Sequence, residues 1–248
     1  MSRTAIEVAA DPRGGRAQLR LSGDDPGGRG HLGARVLAHG PTSARVALVA
    51  EGALLLAGDD ITVSITVGAG MRLQVVEPAG TVAYDMRGGS ARWQVAVRLD
   101  RGAHLAWRGE PFVVAAGAEV IRDVHLDLAE GSVAILRESL VLGRAGESGG
   151  VLTQRIRVLL DGRPLLAEDL ELGPARPRTG VLGPARVIDT VSVLGRRAPG
   201  IPLTSEVSHR LELDGPGTVI RSLSTQAHLG CLTSVWESLV LADAALVI

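Results

Sequence analysis

A pattern of roughly 30 residues recurs three times between residues 61 and 138 of this chain, and it constrains the fold more than any other feature of the sequence. When Gly70, Gly102 and Gly131 are aligned, the positions three, five and seven residues before each glycine are all apolar. Those nine residues are Val67, Leu99 and Leu128, then Ile65, Val97 and Leu126, and finally Val63, Val95 and Val124. The positions three and five residues after each glycine are Leu73, Leu105 and Ala134, then Val75, Trp107 and Leu136. Because alternate residues of a strand lie on one face, each repeat predicts two β-strands joined at a glycine turn.

Alternation with a period of two residues continues from Ile61 to Leu172, whereas helical periodicity is scarce. Asp161-Gly162, between two apolar runs, is a strong signal for a β-hairpin turn. Each repeat has an apolar face that only the neighbouring repeats can cover, and this favours a β-solenoid or a β-meander. The predicted fold class is therefore all-β, a β-helix or solenoid of stacked strands with one or two helices. The alternative is a sandwich of ordinary hairpins whose spacing is coincidental.

The last third of the chain differs in composition. Residues 173–186 are rich in Pro, Gly and Arg and are predicted to form a loop. Further strands are predicted at residues 187–194, 207–213 and 218–223. The helix is predicted near the C-terminus, beginning at Thr233 as its N-cap, with Glu237 in its first turn. Its apolar residues predict that it is buried or docks, and we expect one domain over residues 1–248.

Charge and composition exclude several functions. The formal net charge is -1, so no global field attracts nucleic acid or an anionic membrane. All 26 basic residues are Arg, and without Lys neither a P-loop nor a Schiff base can be built. Only three Trp, one Tyr and one Phe are present, too few to favour stacking on single-stranded nucleic acid or sugars.

The compartment is predicted from the same sequence. Cys231 is the single cysteine, so no internal disulfide forms, which favours a reducing compartment. The chain starts without an apolar signal segment and contains no apolar run of about 18 residues. We expect a cytoplasmic protein.

A search for catalytic apparatus returns little. The six His residues lack metalloprotease spacing, and His104 and His125 would be zinc ligands only if the fold brought them together. Cys231 lies three residues after His228, a weak case for a thiol nucleophile. The glycine-rich stretch DDPGGRGHLGAR, residues 24–35, lacks a following Lys and favours a flexible loop over a phosphate cradle.

A glutamate follows the second strand of each repeat. Glu77 and Glu138 lie seven residues after their glycine, and Glu110 lies eight. They share the parity of apolar neighbours such as Val75 and Leu136, so they are predicted to point inward. Equivalent side chains of stacked coils lie about 4.8 Å apart, where like charges need a raised pKa, an Arg partner or a cation. The pattern allows an oxygen-lined path for a divalent ion; the alternative is that each glutamate is solvated at the rim.

Two arginines are candidate partners for these carboxylates. Arg137 and Arg144 are both close in sequence to Glu138. Arg137 has the opposite parity, which predicts that it is solvated. The segment Gly143-Arg144 with Gly146-Glu147 predicts a turn.

Four blocks of sequence, in this order, resemble the urease accessory protein D family, called H in some bacteria. They are GDDITVSITVGAGMRLQVVEPAGTVAYD, GAHLAWRGEPFVVAAGA, ESLVLGRAGE and VLLDGRPLLAEDLEL, spanning about Leu54 to Leu172. The matching positions are Gly58-Asp59, then Trp107, Glu110 and Pro111, then Glu138, Gly143, Arg144, Gly146 and Glu147, and finally Asp161 to Leu165. VEPAGTVAY lacks a Lys and a Thr of the family pattern, and Gly109 stands where that pattern has Pro. The C-terminal third matches only weakly.

The resemblance implies a largely β-helical scaffold without enzymatic activity. Such a protein binds apo-urease together with accessory proteins F and G, of which G is the GTPase. It implies that nickel passes transiently through the D protein, with no tightly bound cofactor. Ni(II) can move along carboxylate and water ligands if no site holds it too tightly. The candidate transit residues are Asp59, Asp60, Glu77, Glu110, Glu138 and Glu168.

Two rival functions remain open from the sequence. One is a β-helix enzyme, such as a polysaccharide lyase or an acyltransferase, for which the scarcity of aromatic residues is unfavourable. The other is a purely structural adaptor without a metal role.

Overall fold

The computed structural model describes residues 1–24, 31–174, 181–202 and 207–243, which form two β-sheets and one α-helix. Sheet A contains, in spatial order, β13 (Arg163–Leu172), β12 (Val151–Leu160), β10 (Glu119–Leu128), β8 (Ala91–Leu99), β5 (Asp60–Val67), β1 (Ser2–Ala9) and β2 (Gln18–Asp24). Sheet B contains β15 (Ser208–Glu212), β16 (Gly217–Ser224), β14 (Val187–Leu194), β11 (Val133–Leu142), β9 (His104–Val114), β6 (Arg72–Val76), β4 (Ser43–Glu51) and β3 (His31–His39), with β7 (Thr81–Ala83) also paired to β9. The helix α1 spans Thr233–Ala242.

The chain winds between the two sheets as a solenoid, as the repeat predicts. It passes from β5 to β6, from β8 to β9 and from β10 to β11, each time from sheet A to sheet B. The strands β5, β8, β10 and β12 are parallel to one another, and so are β4, β6, β9 and β11. The predicted stacked-strand fold is therefore confirmed.

Strand registers reproduce the alignment of the repeats. Val63 pairs with Val95, and Val95 pairs with Val124. In sheet B, Val75 pairs with Trp107, and Trp107 pairs with Leu136. Equivalent positions of successive coils are thus direct neighbours, so an apolar repeat position becomes an apolar row between the sheets. Burial of these rows from water is the main favourable contribution to such a core.

The hairpin at Asp161-Gly162 is also confirmed. Both residues have positive φ, 48° and 71°, and they join the antiparallel strands β12 and β13. Beyond β13 the next strand begins at Val187, and residues 175–180 of the predicted loop lie outside the described residues. The strands β14, β15 and β16 occupy the three predicted segments and add to sheet B in antiparallel order.

The helix α1 packs on the outer face of sheet B. Its residues Val235, Trp236, Leu239 and Val240 are buried, and the Trp236 indole N–H donates to the carbonyl of Ile135 at 3.3 Å. The helix begins at Thr233 as predicted, but the predicted cap is wrong. The N-cap residue is Leu232, which supplies no side-chain hydrogen bond, and the first turn contains no acidic residue. Apolar burial against the sheet, rather than capping, therefore holds this helix in place.

The first quarter of the chain forms strands that its sequence did not reveal. The strands β1 and β2 are antiparallel, as are β3 and β4, and they close one end of the two sheets. Of the glycine-rich stretch predicted as a loop, residues 31–35 belong to β3, and residues 25–30 lie outside the described residues. Within the described residues, no helix combines the length and apolar character needed to cross a bilayer.

Gly102 tests the importance of the inter-sheet turn. Its φ is +64°, a left-handed conformation that costs an L-residue about 1–2 kcal/mol, and a methyl group added to its Cα would meet no heavy atom within 4 Å. Gly102→Ala should therefore lower the free energy of unfolding by about that amount relative to Gly200→Ala. Gly200 has equal space and no positive φ. Urea denaturation of both variants measures the difference, and equal stabilities would contradict the prediction.

Candidate functional site

The three repeat glutamates line one cavity between sheets A and B. Glu77 follows β6, Glu110 belongs to β9 and Glu138 belongs to β11, three adjacent strands of sheet B. The cavity offers about 40 Å³ to the centres of water-sized molecules. Since one water needs about 10–15 Å³ by this measure, a few waters fit. The inward prediction is confirmed for Glu138 by its ion pair with Arg122 of sheet A, and for Glu77 by its contact with Trp107. The carboxylate of Glu110 instead pairs with Arg108 at 3.4 Å, and Arg108 also lies 3.9 Å from Glu237 of α1.

A β-bulge explains why Glu110 lies one residue further from its glycine than the other two. The pairing of β9 with β11 shifts register after Arg137, so that Gly109 and Glu110 together lie opposite Glu138. A methyl group on Gly109 would come within 2.8 Å of the carbonyl oxygen of Arg137. The glycine therefore permits the close strand approach that brings Glu110 to the level of the other two glutamates.

Glu77 is the most buried of these carboxylates, although the residue as a whole retains some exposed surface. Its Oε1 accepts from the indole N–H of Trp107 at 2.9 Å, and its Oε2 accepts from the backbone N–H of Glu110 at 3.2 Å. Burial raises the pKa of Glu77 to about 7, against the lowering effect of these hydrogen bonds and of the Arg122 charge. Near neutral pH this side chain can hold or release a proton.

Arg122 supplies the positive charge in the cavity. It lies on β10 with only 8% of its surface exposed, and its Nη2 is 2.5 Å from Oε1 of Glu138. Its Nη1 donates to Oε1 of Gln154 at 2.6 Å, and its guanidinium lies 5.5 Å from the ring centre of Phe112. The predicted need for an arginine partner is met, but by Arg122 in the facing sheet.

Polar side chains continue the line of the cavity across the molecule. In sheet B, Thr190 pairs in register with Glu138 and with Arg221. Arg221 donates to Oγ1 of Thr190 at 3.1 Å and forms an ion pair with Glu168 of β13 at 2.8 Å. This polar row, as we call it, comprises Glu77, Glu110, Glu138, Thr190 and Arg221 of sheet B, with Arg122, Gln154 and Glu168 of sheet A. Its ion pairs join one sheet to the other, so the row lies between the sheets.

Asp59 and Asp60 do not line the cavity. Asp59 is buried at the entrance to β5, where its Oδ2 accepts from the backbone N–H of Leu56 at 2.8 Å. Asp60 begins β5 and pairs in register with Arg92. Asp59 thus has a local structural contact, and the structure joins neither aspartate to the polar row.

Arg137 is buried, so the prediction that it is solvated is wrong. It lies on the outer face of sheet B beneath the segment that leads into α1, with 5% of its surface exposed. Its guanidinium contacts both carboxylate oxygens of Asp189, at 3.2 and 2.7 Å, and donates to the carbonyl of Gly109. Asp189 also accepts from the backbone N–H of Leu232 at 3.1 Å. The pair therefore ties β11 and β14 to the start of α1.

Arg144 also does not neutralise the repeat glutamates. It pairs with Glu147 at 2.6 Å inside the turn that the sequence predicts, where Gly143 and Gly146 have positive φ. Hydrogen bonds from Arg144 lower the pKa of Glu147 to about 2. This surface pair orders the turn that follows β11.

The histidine candidates do not converge. His104 lies on β9 in sheet B, with its Nδ1 3.5 Å from Asp243, whereas His125 lies on β10 in sheet A, 3.3 Å from Asp127. In the ranges that the structure describes, no three His, Cys, Asp or Glu side chains are grouped to hold a metal ion. The repeat glutamates thus line one cavity without forming a preassembled metal site.

A larger depression of about 310 Å³ opens between β2 and β3. Its polar wall includes His31, Arg35 and Glu51, and Glu51 pairs with both of the others. It shares no lining residue with the cavity of the glutamates.

Sequence reasoning missed Arg122, although a signal was present. Arg122 lies nine residues before Gly131, and the equivalent positions of the other repeats are Ile61 and Trp93. The registers place these three residues side by side. Extending the repeat alignment by one more inward position would have identified Arg122 as a charged residue in an otherwise apolar row.

Glu77→Gln tests the electrostatics of the cavity. Because the folded-state pKa of Glu77 is raised from 4.5 to about 7, the folded chain binds more protons than the unfolded chain within that window. The Glu77 carboxyl therefore contributes fully to the free energy of unfolding at low pH. This contribution is lost as the pH rises, by up to about 1.4 kcal/mol per pH unit. Because Gln does not titrate, the free energy of unfolding of Glu77→Gln does not fall in this way. The difference between the variant and wild type should therefore shift in favour of the variant from pH 5 to pH 7. Urea denaturation across this range tests it, with the exposed Glu130→Gln as control; parallel pH profiles for wild type and Glu77→Gln would refute the assignment.

Arg137→Met tests the buried pair. It leaves the Asp189 carboxyl buried without its counter-charge, which should lower the free energy of unfolding by about 3–5 kcal/mol. Arg137→Met combined with Asp189→Leu should recover much of that loss, because no unpaired charge remains. Arg157→Met, which removes the exposed pair with Asp169, should cost no more than about 1 kcal/mol. Denaturant titrations distinguish these cases, and equal losses for Arg137→Met and Arg157→Met would contradict the prediction.

Comparison with known proteins gives the family. The profile described as UreD urease accessory protein matches residues 32–242. Urease accessory protein UreD 1 of Streptomyces griseus subsp. griseus is 44% identical over 242 residues, covering 95% of this chain and 91% of that protein. Urease accessory protein UreD of Streptomyces avermitilis is 33% identical, covering 90% of each chain, and that of Frankia alni is 34% identical, covering 84% and 79%. The chain therefore belongs to the UreD family of urease accessory proteins.

Proposed function

We propose that this protein is a non-enzymatic scaffold for urease maturation that conducts nickel to the urease active site. In this proposal it acts in the cytoplasm and binds apo-urease together with accessory proteins F and G. Its membership in the UreD family supports the link to urease. The observation that carries the conduit is the polar row, which crosses an otherwise apolar interior.

The chemistry of the row suits a cation in transit. Glu77, Glu110 and Glu138 offer carboxylate oxygens around space for a few waters, and Ni(II) accepts such ligands. Glu110 and Glu138 retain 28% and 22% exposure of their side chains, whereas Glu77 lies deeper. An ion therefore passes from solvated to buried carboxylates over adjacent strands.

Glu168 extends the proposed route on the far side of Glu138. Glu168 forms an ion pair with Arg221 of β16, which donates a hydrogen bond to Thr190 of β14. Thr190 in turn pairs in register with Glu138 of β11. Asp59 and Asp60 are the weakest members of the proposed set, because they lie outside the cavity wall.

The absence of Lys from the sequence supports a division of labour with a partner GTPase. A P-loop requires a Lys to contact the phosphates of the nucleotide, and this chain has none. We therefore place nucleotide hydrolysis in accessory protein G.

An enzyme site that uses the repeat glutamates is disfavoured by the size of their cavity. Pockets for small organic molecules commonly measure about 300–1,000 Å³, far more than the space beside the glutamates. A purely structural adaptor makes a different prediction from a conduit, because it does not need the carboxylates of the polar row.

Glu138→Ala separates the conduit from the adaptor. Urease produced together with this variant should show at least about tenfold less activity, since loss of even an outer partner of a metal ligand costs that much affinity. The purified urease should contain correspondingly less nickel. Urease activity and nickel content per subunit measure the effect, with Glu130→Ala, which removes an exposed carboxylate, as the matched control.

The assembly must be measured in the same samples. Co-purification of the variant with urease, F and G should be unchanged if Glu138 serves transit. Wild-type levels of activation would refute the conduit. Loss of co-purification would instead make Glu138 a structural residue of the scaffold.

A further inference from the structure

The cavity already contains a positive charge, and this determines how a second cation can enter it. We propose that Arg122 is the resident cation of the polar row and that a divalent metal ion enters by displacing its guanidinium from Glu138. This proposal rests on the proposed nickel conduit and adds a selective step to it.

The position of Arg122 is unusual for a residue that only stabilises the fold. Its neighbours in the inward row of sheet A are Trp93 on one side and Gln154 on the other, and Ile61 follows Trp93. Replacing a buried ion pair by apolar residues is often neutral or favourable for stability. A cation at this inward position is therefore poorly explained by packing alone.

The contacts of Arg122 hold it incompletely. It pairs with one carboxylate, that of Glu138, and donates to one amide oxygen, that of Gln154. Its Nε is buried without an acceptor among the described residues, and so is the indole nitrogen of Trp93 in the same cavity wall. Two donors that lack protein acceptors require water or another ligand in the cavity. The guanidinium is thus held in a hydrated site by fewer partners than it can use.

A metal ion and the guanidinium compete for the same oxygen of Glu138. The oxygen Oε1 lies 2.5 Å from Nη2, so an ion bound to that oxygen would meet the guanidinium charge at close range in a poorly solvated site. An ion that takes this oxygen must move Arg122 away. Because Nη1 is held separately by Gln154, the side chain can leave Glu138 while this second hydrogen bond persists.

Displacement also supplies selectivity. A monovalent cation carries the same charge as Arg122, so it gains no additional attraction to Glu138 by replacing the guanidinium. A divalent ion gains about twice as much at equal distance, and binds oxygen more closely than a guanidinium does. The exchange therefore favours divalent ions over the monovalent ions of the cell.

The test is Ni(II) binding to the purified full-length protein by isothermal titration calorimetry. Arg122→Met removes the competing charge and keeps an unbranched side chain of moderate size, so it should bind Ni(II) at least about tenfold more tightly than wild type. Arg122→Met combined with Glu138→Gln should lose this gain, which places the binding in the cavity. Arg157→Met, which removes an arginine from an exposed pair with Asp169, should behave as wild type.

A measurement on the wild-type protein does not depend on how the variants fold. Arg122 is buried and should react slowly with a dicarbonyl reagent for arginine, and saturating NiCl2 should increase its modification as read by mass spectrometry. The exposed Arg157 should react equally with and without the metal. Unchanged reactivity of Arg122 at saturating NiCl2, or Arg122→Met binding no tighter than Arg157→Met, would overturn the displacement.

The outcome is distinguishable from failure of the conduit. Tighter Ni(II) binding by Arg122→Met together with normal urease activation by Glu138→Ala would support displacement and refute transit. Unchanged binding by Arg122→Met together with lost activation by Glu138→Ala would support transit and refute displacement.

Discussion

Parallel strands in matched register place each residue of one coil beside its counterpart in the next, and the interior of this protein follows from that constraint. Where the repeat is apolar, as at Val63, Val95 and Val124, the register produces an apolar row that packs against the facing sheet. Where the repeat is acidic, the same pairing, adjusted by the bulge at Gly109 and Glu110, brings the glutamates to one cavity. The cavity and the core are therefore two results of one pairing pattern.

Two neighbouring residues of β11 show how the sheet divides buried charge between its faces. Glu138 points between the sheets and pairs with Arg122, whereas Arg137 points outward and pairs with Asp189 beneath the segment before α1. Arg137 also contacts the carbonyl of Gly109 at the bulge. The cavity wall and the start of the helix are consequently joined through a single strand.

The physical properties of the cavity suit passage better than storage. Its carboxylates lie on one side, its resident cation lies on the other, and only a few waters fit between them. A site whose Glu138 already has a counter-charge and whose hydrogen bonding is incomplete binds a further ion weakly, and that is the condition a conduit requires. The proposed function and the proposed displacement both depend on the pairing of Glu138 with Arg122.

Much of the fold and part of the site could be predicted from residue order. The repeat about Gly70, Gly102 and Gly131 predicts the stacked strands and the inward glutamates, because side-chain parity is a local property of a strand. It did not predict the first four strands, β1 to β4, which lie outside the repeat. The burial of Arg137 was also missed, since parity says which face a residue occupies and not whether a helix covers that face.

The sequence by itself determined the coil spacing, the turn glycines and which residues face inward, all of which depend on neighbours along the chain. Only the tertiary structure decided the partners of the charges. Arg122 is 16 residues from Glu138 in sequence, and Arg137 is 52 residues from Asp189, yet each pair is in contact. Such pairs form because a buried charge needs a counter-charge within a few ångströms, and the winding of the chain alone decides which one lies there.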